Sequence, residues 1–121
     1  MIHRFFLLLG LAAMAACSAA LIHPGPADAE LAATRWPGTT LPELEQARAL
    51  YVSRCSRCHS LKVPEQYPAA RWPDLIGRME HKAKLTPGET AEITRFLVTT
   101  SARVRNEPLP AVAEARARPE P

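Results

Sequence analysis

Apolar residues recur at helical spacing in three stretches of this chain. No segment alternates apolar and polar residues in the way a half-buried strand would. In the first stretch Leu44, Ala47, Tyr51 and Cys55 fall on one face of a helix running to about Arg57. Its start is written in Thr40-Leu41-Pro42-Glu43: a hydroxyl to cap the first free amides, a proline suited to the first turn, and a glutamate that can reach back. A second helix is predicted to start at Trp72-Pro73-Asp74. There Leu75, Ile76, Met79 and Ala83 share one face, and Asp74, Arg78 and His81 the other. The third starts at Thr86-Pro87-Gly88-Glu89, again with capping-box spacing, and carries Ile93, Phe96, Leu97 and Thr100. The expected class is all-α, a small domain of about three helices over residues 40–103.

The flanks read differently. His3 and Arg4 precede an apolar run beginning at Phe5, which is the layout of an export signal over residues 1–16. Met14-Ala15-Ala16-Cys17 has small residues before a cysteine, as in a bacterial lipobox, so lipidation of Cys17 is the leading expectation. Two alternatives stand beside it: cleavage after Ala27-Asp28-Ala29, and an uncleaved anchor, since the apolar run extends to Ile22. All three place the folded part outside the cytoplasm, in a bacterial periplasm, and the first and third tie it to the membrane. Residues 17–39, dense in Pro and Gly, read as a flexible tether. Residues 104–121, rich in Pro, Ala, Arg and Glu without an apolar period, read as a disordered tail.

What remains is too short to bury much apolar surface, and chains of that size usually need a staple. Three cysteines cannot supply a disulfide framework. A large buried cofactor would. The net charge of +3 is small and its basic residues are scattered, which argues against nucleic acid as a partner.

Cys55-Ser56-Arg57-Cys58-His59 supplies the missing staple. Two thiols three residues apart on a helical turn can add to the two vinyl groups of one haem. The next residue, His59, is then forced beneath the iron as its proximal ligand. A zinc site would need a second Cys/His pair, which the sequence lacks. A dithiol redox motif would be expected within a βαβ pattern, and none surrounds it. A structural disulfide is the remaining alternative, permitted in an oxidising compartment. The expected cofactor is one covalent haem c, whose attachment calls for the c-type haem maturation machinery.

The pattern resembles the class I c-type cytochromes, more closely the short monohaem bacterial type, over roughly residues 44–97. The matching residues are Ala47, Leu50-Tyr51, the motif from Cys55 to His59, Pro64, Tyr67, Trp72, Arg78-Met79, Ile93 and Phe96-Leu97. The resemblance implies that the first and last helices cross at a small residue, here Ala47, against an aromatic, here Phe96. It implies that Pro64 helps to place the carbonyl that holds the proximal imidazole. Tyr67 and Trp72 would either line the haem edge or serve as core aromatics.

Met79 is the expected sixth ligand. It occupies the family's Arg-Met position and is the one methionine left once residues 1–16 are removed. His81 is its rival, on the polar face of the same helix. A thioether ligand raises the reduction potential relative to a second histidine. The resulting expectation is electron transfer, a non-enzymatic role, between redox partner proteins whose identity the sequence does not carry. The alternative is a haem-based gas sensor or small haem enzyme with an open sixth position. Arg54, Arg57 and Lys62 flank the motif and are expected to be solvated side chains.

Overall fold

The computed structural model describes residues 20–111. Among the described residues four α-helices follow one another: α1 (Pro26–Ala33), α2 (Leu41–Cys55), α3 (Trp72–Glu80) and α4 (Pro87–Arg105). Two short 3-10 turns, Pro64–Gln66 and Ala69–Arg71, lie between α2 and α3. Among the described residues there is no strand, and the class is all-α as expected. Among them, too, no helix is long and apolar enough to cross a membrane.

The helix starts are built by the side chains that announced them. The Thr40 hydroxyl accepts from the Glu43 amide, and the Glu43 carboxylate accepts from the Thr40 amide at 2.7 Å. Thr86 and Glu89 repeat the exchange at the start of α4. These bonds hold the Glu43 and Glu89 carboxyls below their ordinary pKa. The ends are equally local. Asn106 adopts a left-handed conformation (φ 54°), and the Glu107 amide closes back on the Ala102 carbonyl at 2.8 Å. Lys84 (φ 53°) plays the same part after α3, with the Leu85 amide on the Glu80 carbonyl. Both are Schellman closures, which satisfy carbonyls that a helix end leaves free.

α4 is the hub, packing against α1, α2, α3 and both 3-10 turns. Every residue from Phe96 to Ala102 is buried, on all faces of the helix rather than one stripe. A helix buried all round needs neighbours all round, and two of these neighbours come from outside the predicted domain.

The first is α1, in the segment expected to be a flexible tether. Residues 21–39 are instead laid onto the domain. Asp28 is fully buried, accepting from the Gly25 amide (2.8 Å) and pairing with Arg103 of α4 (2.6 Å). Ala32 joins the core, and Leu21, Leu31 and Trp36 pack against it. The Arg95 guanidinium lies over the Trp36 ring at 5.6 Å. Arg48 of α2 donates to the Leu21 and Ile22 carbonyls at 2.9 and 3.0 Å. Trp36-Pro37-Gly38-Thr39 then forms a tight turn, with Gly38 at φ +84°, that delivers the chain to α2.

The second is the start of the expected tail. Val104 and Arg105 complete α4, Glu107 accepts from the Ala69 amide (3.1 Å), and Leu109 packs on the core. The remainder of that segment, and the export signal with Cys17, lie outside the described residues.

Candidate functional site

The motif straddles a boundary in the fold. Cys55 is the last residue of α2, buried in the cluster that also holds Ala47, Tyr51, Trp72, Ile76 and Phe96. The chain then leaves the helix. Ser56 through Ser60, including Cys58 and His59, are exposed. One thiol is therefore built into the core and the other presented on the surface beside it. They are not bridged to each other. Burial, with Cys58 nearby, pushes the Cys55 thiol up from its ordinary pKa.

The arrangement fits a covalent haem. Both thiols are free to form thioethers, and the histidine next to them is unburied. The His59 Nδ1 lies 2.8 Å from the Ser60 carbonyl. With its proton on Nδ1 the ring donates there, and Nε2 is left as the ligating nitrogen. Leu61, Tyr67, Leu75 and Ala83 pack against the Cys55 cluster yet remain half-buried, apolar surface that a porphyrin can cover. Among the described residues, no three His, Cys, Asp or Glu side chains gather to hold a metal ion by themselves.

The segment after the motif is held by side chains aimed at its backbone. The Tyr51 hydroxyl donates to the Lys62 carbonyl at 2.8 Å. Trp72 Nε1 donates to the Pro64 carbonyl at 3.3 Å, Arg105 to that of Glu65 at 3.0 Å, and Ser101 Oγ to that of Tyr67 at 2.7 Å. Four donors from α2, α3 and α4 thus fix four carbonyls within six residues. Burial raises the Tyr51 phenol well above its ordinary pKa, so it stays a neutral donor. Sequence reasoning missed Ser101 and Arg105 altogether.

The expectations from resemblance meet mixed outcomes. The carbonyl at Pro64 holds the Trp72 indole, and the imidazole of His59 meets Ser60 instead. Trp72 is a core aromatic, 2% exposed, with the Tyr67 ring edge-on at 5.4 Å. Ala47 and Phe96 share the core between α2 and α4, and the Phe96 ring meets that of Tyr51 at 6.5 Å. Met79 lies half-buried on α3, while His81 caps that helix and is exposed. Arg54 is not simply solvated, since it pairs with Glu89 at 2.7 Å. Arg57 and Lys62 are exposed.

A family model described as dihaem cytochrome c matches residues 51–119. No curated protein and no solved structure matches. The match covers the motif, α3, α4 and the segment beyond, so the stretch expected to be a mere tail is part of what the family shares. It supports the resemblance to c-type cytochromes, and the family it matches is a dihaem one rather than the short monohaem type. Spanning more than half of the 121 residues, the match makes this a c-type cytochrome, a protein of haem-based electron transfer, and the chain belongs to the dihaem cytochrome c family.

Proposed function

We propose that this chain is an electron carrier of the bacterial envelope with one covalent haem c, attached through Cys55 and Cys58 and ligated by His59 and Met79. The observation that carries this reading is the split motif: one thiol in the core, one at the surface, neither bridged, with an exposed histidine adjoining. When bound, the haem supplies a one-electron ferrous/ferric couple. The chain's residues do the rest. Cys55 anchors the group to the core, and His59 offers Nε2 while its other nitrogen is held by the Ser60 carbonyl. Tyr51, Trp72, Ser101 and Arg105 keep the following segment from shifting. The sequence has three cysteines and one C-x-x-C-H, so it provides attachment for one haem although its family is dihaem. A second haem would have to be bound by another chain or by a further segment of a longer one. Export to the periplasm, with membrane attachment through Cys17 or an N-terminal anchor, follows from the sequence pattern of residues 1–22. Redox proteins at either end of the transfer are the partners.

The haem content decides the first part. Protein made with the c-type maturation machinery is expected to retain one haem per chain after acid-acetone extraction, and Cys55→Ala with Cys58→Ala none. Extractable haem, or two per chain, refutes the reading.

The sixth ligand is tested separately. Met79 is half-buried on α3, whereas His81 is exposed at its C-cap. Met79→Ala is expected to lower the reduction potential and admit carbon monoxide to the ferrous iron, and His81→Ala to do neither. The reverse pattern would make the protein a bis-histidine cytochrome of low potential.

A further inference from the structure

We propose that residues 21–39 are a docked strap that holds the haem domain against the lipid surface, restricting it to partners at that surface. The inference rests on the reading that the chain is anchored in the membrane at or before Cys17.

A free tether from Cys17 to the start of α2 could extend to about 75 Å at the usual rise of an extended chain. That would let the domain sample a large volume. The structure removes this reach. Leu21 and Ile22 are bound through their carbonyls to Arg48, and His23 lies 3.5 Å from Glu45 on the same helix. Leu21 and Leu31 pack against the core, Asp28 is paired with Arg103, and Trp36 is covered by Arg95. The strap is therefore fixed to α2 or α4 at its start, in its middle and near its end. Four residues of chain, from Cys17 to Leu21, can span at most about 14 Å. Arg48 precedes Cys55 by seven residues on α2, roughly 10 Å along its axis. With side-chain reach included, the first attachment thiol lies within roughly 30 Å of a lipid carried on Cys17. An anchor at Cys17 would therefore keep the domain within a short reach of the lipid, so that it can recede hardly at all.

The test uses the full haem-loaded chain, reconstituted in vesicles of phosphatidylethanolamine and phosphatidylglycerol that contain a headgroup nitroxide lipid. Flotation reports anchoring. Relaxation enhancement of the nitroxide by the ferric haem reports proximity. Wild type is expected to float and to enhance relaxation. Two variants are expected to float equally but lose the enhancement: Arg48→Ala combined with Asp28→Asn, which frees the strap, and a Gly/Ser spacer inserted between Ala20 and Leu21, which leaves every strap contact in place. The spacer variant answers the objection that the first has simply unfolded. Flotation without enhancement in wild type, or enhancement unchanged by the spacer, overturns the strap. A chain that does not float overturns the anchoring reading, and the strap's lipid contact falls with it.

Discussion

Two connecting segments of this protein, residues 21–39 and residues 56–71, both contain prolines, and both are held by side chains bonding to backbone carbonyls. They differ in what does the holding. Beside the apolar contacts of Ala32, Leu31 and Trp36, the strap's polar contacts are charged groups partly open to water: Arg48 on two carbonyls, and Arg103 on the buried Asp28. The segment after the motif is held by four residues from three helices, among them the buried Trp72, Tyr51 and Ser101. Charged, half-exposed contacts are individually replaceable by water. Contacts made by core residues are lost only when the core opens. The contrast implies that the strap opens at lower cost than the haem-side segment, whose release requires the core itself to open. This suits their proposed tasks, since a ligand has to be positioned more tightly than an anchor.

Removing the core end of that contrast should have the largest effect. Trp72→Ala deletes a fully buried indole together with the donor to the Pro64 carbonyl. A loss of about 3–5 kcal/mol is expected from thermal or denaturant unfolding of the haem-loaded protein. A loss below about 1 kcal/mol would mean that the site collapses around the gap, and that the segment is no better secured than the strap.

The strap end should fail locally. Arg103→Ala leaves the Asp28 carboxylate buried beside the Gly25 amide as its remaining partner. Breaking such a pair from one side costs about 3 kcal/mol, at the lower end of the range because Arg103 is partly exposed. The expected signature is faster hydrogen exchange in α1 with protection in α2 and α4 retained. Equal loss of protection in all three helices would erase the distinction between the two segments.

Acid should produce the smallest effect, and on the haem side. Glu107 accepts from the Ala69 amide and from Arg105, and these bonds hold its carboxyl below its ordinary value of 4.5. A depressed carboxyl contributes stability that is fully present above its unfolded pKa. That contribution is lost as pH falls through the lower folded one. Stability is therefore expected to be flat above about pH 5 and to fall below 4.5, with Glu107→Gln showing a shallower decline in the same urea-unfolding series. An unchanged slope in Glu107→Gln would assign the acid response to Glu43, Asp74 and Glu89 instead.

The sequence by itself determined whatever depends on neighbours within one helical turn. Thr40 with Glu43 and Thr86 with Glu89 set two helix starts, and three residues separate the partners in each. The apolar faces through Tyr51, Ile76 and Phe96 followed from a period of 3.6. The C-x-x-C-H motif is of the same short range, which is why its chemistry could be read without a fold. α1 lay at the edge of this legibility. Gly25-Pro26-Ala27-Asp28 has a proline at the first helical position and an acidic residue two further on, both start signals, but the helix has no apolar stripe and its prolines suggested a linker. Only the tertiary structure decided the rest. Asp28 and Arg103 are 75 residues apart, and Ser101 and Tyr67 34. The acceptors at Lys62, Pro64, Glu65, Tyr67, Leu21 and Ile22 are main-chain carbonyls, a group every residue carries, so no side-chain pattern marks which of them will be used. They become specific when α4, buried on every side, needs covering and the strap and the post-motif segment are the pieces of chain near enough to cover it.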